Sequence, residues 1–323
     1  MGDLTLPIID LTPLRDGSDP ASVARALDDA CTDLGFFVVV GHSIDPMLRD
    51  EMFARAREFF ALPTPEKEAI AIASSPCHAG YSGLAGETLE PGMGADLKEA
   101  LDIGIERGPD HPEVVAGTPL HGPSQWPAID GFRETATTYI GAALETMADV
   151  MSGMALALDL PADHFRPLYD DPLCWLRLLH YPPSSAARPG ADQPGCGAHS
   201  DYGSVTLLTQ DDVGGLQVKA RDGRWLDVTT EPDMLVVNLG DMIARWTNDR
   251  YVSTEHRVVS PTERDRYSMP FFTAPNYHTL VDAIPSCVTA EAPRRFEPVE
   301  AGRYMSARFD DTHAYRNPEL AGR

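Results

Sequence analysis

The stretch GAHSDYGSVTLLTQDDVGGLQV, residues 197–218, decides the reading of this chain. His199 and Asp201 stand two apart ahead of the apolar, β-branched run Ser204 to Thr209. Asp211, Asp212, Gly214 and Gly215 then supply a turn before a second short run, Leu216 to Val218. On an extended backbone residues two apart project from one face, so an imidazole and a carboxylate here can grip a single ion.

The pair by itself carries little weight. With ten histidines and 49 acidic residues in 323, chance alone yields about one and a half His-x-acid pairs, and His111-x-Glu113 is a second instance. Context separates the two. His111 lies in PDHPEVVAG, which has no period, whereas His199 leads into a strand. A third ligand is offered by His256 in YVSTEHRVV, a β-branched run. Two imidazoles and one carboxylate leave coordination positions open, the arrangement of Fe(II) sites that activate oxygen. Taken alone, His256 fits equally well a histidine that only caps or packs. Ten residues on, Arg266 and Ser268 share one side of a further strand, and a planar fork beside a hydroxyl suits a carboxylate. Alone, that pair reads as solvated surface.

Outward from these motifs, the C-terminal half shows short β-rich runs separated by Gly, Asp, Asn and Pro turns: Trp175 to Tyr181, Ser204 to Thr209, Leu216 to Val218, Met234 to Leu239 and Ser268 to Thr273. The N-terminal half reads differently. Asp19-Pro20 and Asp45-Pro46 are helix-start signals, with apolar residues at helical spacing after each and a buried strand, Phe36 to Val40, between them. A connector rich in Pro and Gly runs from about Gly108 to Trp126. A long amphipathic helix follows from about Phe132 to Leu158, its Met147, Met151 and Met154 read as core filler. The fold class is α+β, an antiparallel sandwich or barrel packed against N-terminal helices.

The chain is 43% hydrophobic, enough for a buried core, and its formal charge is −23 from 26 basic and 49 acidic residues. That balance argues against nucleic acid or an anionic membrane surface as partner. Cys31, Cys77, Cys174, Cys196 and Cys287 are odd in number and widely spaced, so a disulfide framework or cysteine metal site is not expected. No signal-like segment opens the sequence, and the expected location is the cytoplasm. The sequence carries no mark of oligomeric state.

Across nearly its whole length the chain resembles the isopenicillin N synthase-like Fe(II)/2-oxoglutarate-dependent oxygenases. The resemblance is carried by LPIIDL at residues 6–11, GFFVVVGHSID at 35–45, GYSGLAGETLEPGMGADLKEALDIG at 80–104 and LRLLHYPP at 176–183. The stretch 197–218, MLVVNLGDMIARWTNDRYVSTEHRVV at 234–259 and RYSMPFF at 266–272 complete it. It implies a double-stranded β-helix, or jelly-roll, core. The divisions expected are 1–107 for the family's N-terminal region, 108–170 for the connector and long helix, 171–311 for the jelly roll and 312–323 for a tail.

It further implies Fe(II) on His199, Asp201 and His256, and 2-oxoglutarate held by Arg266 and Ser268 with Tyr181 at its other end. Oxidation of a small organic substrate by O2, in specialised metabolism, would release succinate and CO2. Many members carry an asparagine where this chain has Leu179. Tyr202, Leu208, Phe271 and Phe272 are candidate substrate-pocket residues, each equally readable as core, as is Trp246. The segment around Tyr81 and Glu87 is placed by analogy as a lid. Three other readings fit the same motifs: an oxidase without 2-oxoglutarate whose substrate carboxylate meets Arg266, fragmentation of 2-oxoglutarate to ethylene, and a non-catalytic jelly roll.

Overall fold

The computed structural model describes residues 6–84, 86–87, 96–183, 195–259, 263–313 and 315–316. Its helices are α1 (Thr12–Arg15), α2 (Pro20–Asp33), α3 (Pro46–Phe60), α4 (Thr64–Glu68), α5 (Pro112–Val115), α6 (Phe132–Ala157), α7 (Asp241–Trp246) and α8 (Ala301–Thr312). Local chemistry sets the starts of the first long ones. The Asp19 carboxylate accepts from the Ser22 amide and that of Asp45 from the Met47 amide, each with proline at the first helical position. After α2 the chain turns at Gly35, with φ +66°, where a Cβ would stand 1.9 Å from the Val252 carbonyl oxygen. Only glycine lets the chain pass directly from helix to strand there.

The strands are β1 (Ile8–Asp10), β2 (Phe36–Val40), β3 (Gly80–Ser82), β4 (Glu99–Gly104), β5 (Pro172–Tyr181), β6 (Cys196–His199) and β7 (Val205–Gln210). They continue with β8 (Leu216–Lys219), β9 (Trp225–Asp227), β10 (Leu235–Leu239), β11 (His256–Val258), β12 (Arg266–Asn276), β13 (Leu280–Val281) and β14 (Val299–Glu300). An eight-stranded sheet runs β1-β2-β10-β7-β12-β5-β4-β3, and a four-stranded sheet runs β6-β11-β8-β9. Within them only β1 and β2 pair in parallel. The two sheets form the jelly roll. The N-terminal region is therefore more than a helical preface, because β1 to β4 extend both edges of the large sheet.

Helices α2, α3 and α6 close one face of the large sheet over the main core, where Leu27, Phe59, Phe132, Met154 and Leu207 are all but sealed from water. Each such side chain contributes about 1.5–3 kcal/mol by burial. Helix α6 is long and apolar enough by composition to cross a membrane, yet half of its most apolar window is buried in this core. The other face of the large sheet looks toward the small one, and strand alternation sorts residues between them. On β12, Met269 and Phe271 enter the helix-side core, while Arg266, Ser268 and Phe272 face the gap between the sheets.

Candidate active site

His199 ends β6 and His256 begins β11, and the two are register partners across the small sheet, their rings 4.3 Å apart between centroids. Asp201 follows two residues after His199 and is buried. Its backbone is fixed from behind, since its carbonyl accepts the Asp241 amide at 2.8 Å. The loop that carries it is drawn tightly against β12, where a Cβ on Gly203 would lie 2.2 Å from the Thr273 carbonyl oxygen.

Both imidazole Nε2 atoms lie 3.7 Å from Asp201 Oδ1. That is too far for hydrogen bonds. The ligand atoms instead converge on a gap, all within 4.8 Å of one another. What surrounds them fixes which atom of each faces the gap. The Nδ1–H of His199 is donated to the Gly197 carbonyl at 2.8 Å and that of His256 to the Thr254 carbonyl at 3.2 Å, leaving both Nε2 lone pairs free. Asp201 Oδ2 accepts from Thr206 Oγ1 at 2.5 Å and from Asn238 Nδ2 at 2.7 Å, which leaves Oδ1 for the gap. Burial works to raise the Asp201 carboxyl, but His256, His199 and these hydrogen bonds hold it below its ordinary value. Burial, with His199 beside it, pushes His256 down to about 4. Two imidazoles that each turn Nε2 to the gap and a carboxylate, oriented by outer partners and open on one side, fit Fe(II).

The triad separates two chambers. One is lined by His256, Asp201, Tyr181, Leu208, Arg266 and Ser268 among others. Arg266 is 1% exposed. Its Nε donates to the Gly214 carbonyl at 2.6 Å, Nη1 to Ser268 Oγ at 3.1 Å and Nη2 to Gln210 Oε1 at 3.0 Å. The Tyr181 ring lies 4.8 Å away. No carboxylate pairs with it among the described residues. A buried cation without an anion is costly, so this chamber is built for a ligand that brings one. Leu179, the register partner of Ser268, adds an apolar patch to the same wall, where Lys98 and Asn238 also stand.

The second chamber is lined by Trp175, Arg177, His199, Asp201, Tyr202, Phe272, Met305 and Phe309, with Glu87, Asp102, His78 and His313. Here the expectations need correcting. Tyr202 and Phe272 do line it. Leu208 lines the Arg266 chamber instead, and Phe271 points into the helix-side core, because adjacent strand residues face opposite ways. Trp246 is core, packed on Phe165. Tyr81 does not belong to a lid, for it is buried on β3 with its hydroxyl donating to Glu99 Oε2 at 2.6 Å. Glu87 is fixed chamber wall, ion-paired with Lys98 and Arg177. Residues 85 and 88–95 of that segment lie outside the described residues.

Several site residues escaped the sequence reading. Arg177 was within reach of it, since it precedes Leu179 and Tyr181 by two and four positions on β5 and so shares their face. Asn238, in the apolar run of β10, was a similar signal. Met305, Phe309 and His313 had none, because nothing in a C-terminal amphipathic helix tells which face of the sheet it will cover.

Residues 6–129 match the model of the non-haem dioxygenase in morphine synthesis N-terminal family, and residues 172–275 that of the 2OG-Fe(II) oxygenase superfamily. The chain is 40% identical over 300 residues to the 2-oxoglutarate-Fe(II) type oxidoreductase hxnY of Emericella nidulans, covering 91% of this chain and 86% of that one. It is 37% identical to the 2-oxoglutarate-dependent dioxygenase citB of Monascus ruber, over 83% and 84% of the two chains. A full-length Neurospora crassa protein, crystallised in complex with alpha-KG and thymine, superposes with a TM-score of 0.84 at 32% identity, covering 95% and 97%.

Proposed function

Because the chain belongs to the 2OG-Fe(II) oxygenase superfamily, we propose that His199, Asp201 and His256 hold its Fe(II) and that Arg266 and Ser268 take the distal carboxylate of 2-oxoglutarate. Tyr181 borders the same chamber, and the opposite chamber receives a small organic substrate. The observation that carries this assignment is the buried, anion-free guanidinium of Arg266 in a chamber that also reaches all three candidate ligands. Its fork is already oriented by Gly214, Gln210 and Ser268, so little ordering remains when a carboxylate arrives. Bound there with O2 and 2-oxoglutarate, Fe(II) supplies the power to oxidise a substrate C–H bond, the cosubstrate leaving as succinate and CO2.

The protein's own share is positioning and shielding. Thr206 and Asn238 keep one Asp201 oxygen turned inward, the Gly197 and Thr254 carbonyls hold the imidazole tautomers, and Phe272, Phe309 and Met305 limit water on the substrate side. The outcome, hydroxylation, desaturation or ring closure, is set by which C–H bond the second chamber presents, and a role in specialised metabolism accords with this chemistry. The five buried, unpaired cysteines accord with the reducing cytoplasm. Titration of Arg266→Ala with 2-oxoglutarate and with iron tests the assignment. The cosubstrate requirement should rise far more than iron binding weakens, and equal loss of both would count against it.

A further inference from the structure

His180 stands on β5 between Leu179 and Tyr181 and points away from the Arg266 chamber, because adjacent strand residues face opposite ways. On that side its ring stacks on Tyr267, its register partner on β12, with centroids 4.9 Å apart, and Phe60 of α3 lies 5.5 Å away. Both ring nitrogens meet carboxylates. Nδ1 lies 2.8 Å from Glu99 Oε1 of β4, and Nε2 lies 2.7 Å from Asp265 Oδ1, immediately ahead of β12. An ionised carboxylate only accepts, so each contact needs an N–H, and an imidazole ring with two N–H groups is the cation.

The groups around it suit that charge. Glu99 Oε2 also accepts from Lys67 Nζ of α4 at 2.7 Å and from the Tyr81 hydroxyl of β3 at 2.6 Å, while Arg57 of α3 lies over the Tyr267 ring at 5.3 Å. Burial works to lower His180, but Glu99 and Asp265 outweigh it and raise it above its ordinary value. The two carboxylates differ in exposure, the Glu99 side chain being 6% exposed and that of Asp265 53%. When His180 gives up a proton, the remaining N–H stays with Glu99, which has no water to turn to, and Nε2 presents a lone pair to Asp265. Asp265 then turns into solvent at little cost. The contact that opens is the one beside Arg266.

On the far side of Arg266, Tyr267 is held by Asp211, whose carboxylate accepts its amide at 2.6 Å and whose amide donates to its carbonyl at 3.1 Å. On the near side Arg264 reaches Asp212 only across an exposed pair at 3.3 Å, so the His180–Asp265 contact carries the fixing there. We propose that His180 is a positioning residue for the cosubstrate clamp: its imidazolium, bridging Glu99 and Asp265, pins the start of β12 and holds Arg266 opposite Tyr181, and 2-oxoglutarate affinity falls as this proton is lost. This rests on the reading of the Arg266 chamber as the cosubstrate's. A histidine raised by its partners acts in full below its unpartnered value of about 6.5 and is lost as pH rises through the raised one. The fall therefore lies on the alkaline side.

The test titrates the full chain, loaded with Zn(II) in place of Fe(II) so that nothing turns over, with 2-oxoglutarate from about pH 6.5 to about pH 9.5, reading the heat of binding. The dissociation constant should rise about fivefold or more across that span, the lower end of coupling between two sites. By reciprocity, bound 2-oxoglutarate should raise the pH at which the His180 ring titrates, read from its NMR signal. His180→Gln should flatten the profile. Should that variant fail to fold, Asp265→Asn, at a side chain half open to water, should move the fall to lower pH. A dissociation constant indifferent to pH, or a fall that Asp265→Asn leaves at the same pH, overturns the proposal, the second result assigning the titration to water on the metal. Absence of 2-oxoglutarate binding at every pH sinks the cosubstrate assignment of the chamber, whereas binding without pH dependence sinks this inference alone.

Discussion

The two chambers that meet at Asp201 are built from different materials. The Arg266 chamber is walled almost wholly by paired strands, β5, β7, β10, β11 and β12, whose register fixes which side chains converge. The other gathers His78 and Glu87 from the flanks of β3, Tyr202 from the loop after β6, and Met305, Phe309 and His313 from α8 and its end. Their charges differ as well. The first holds a guanidinium with no carboxylate partner among the described residues, whereas in the second the carboxylates of Glu87 and Asp102 are ion-paired with Lys98 and Arg177. Under the proposed assignment the shared cosubstrate would be met by the paired strands of the sheets. The substrate would be met partly by loops and a helix, which can change without disturbing that lattice.

The contrast can be broken at several depths. His256→Ala removes one of the three candidate metal ligands. Succinate formation should fall by more than about 100-fold, beyond what loss of an outer partner costs, and retained turnover would show the triad misassigned. Arg266→Ala touches one chamber. The 2-oxoglutarate concentration for half-maximal succinate release should rise on the order of 100-fold, the worth of one or two charge-assisted bonds, with metal affinity measured by competition with a chelator little changed. Asn238→Ala strips a donor from Asp201 Oδ2 and should cost about 10-fold or more in iron affinity in the same chelator assay.

The finest division lies within β12. Phe271→Ala empties the helix-side core and should cost about 3–5 kcal/mol in denaturant unfolding. Phe272→Ala opens the substrate chamber, and should cost less stability while raising the ratio of succinate formed to substrate oxidised. Reversed results would mean that the strand's alternation has been read in the wrong sense.

How much of this the sequence shows depends on the residue. His199, Asp201, His256, Arg266 and Ser268 stand out because motif order and strand periodicity are local properties. Arg177 and Asn238 obey the same period and were open to the same reasoning. Phe271 and Phe272 show its limit from the other side: the period says that only one of the two can line a pocket, and the sheet's packing says which. Tyr81 and Glu87, grouped by sequence into one lid, are separated by their partners, Glu99 for the first and Lys98 with Arg177 for the second.

The sequence by itself determined the candidate metal ligands' spacing, the helix starts at Asp19-Pro20 and Asp45-Pro46, and the reaction class, because each depends on residues adjacent in the chain or on the order of motifs along it. Only the tertiary structure decided that Arg266 is buried with no carboxylate partner among the described residues, that Leu208 lines the same chamber as Arg266, and that Glu87 is ion-paired with Lys98 and Arg177. Those facts arise where separate segments are packed against each other. Burial, charge balance and unmet hydrogen bonds are properties of that packing, which no local pattern encodes.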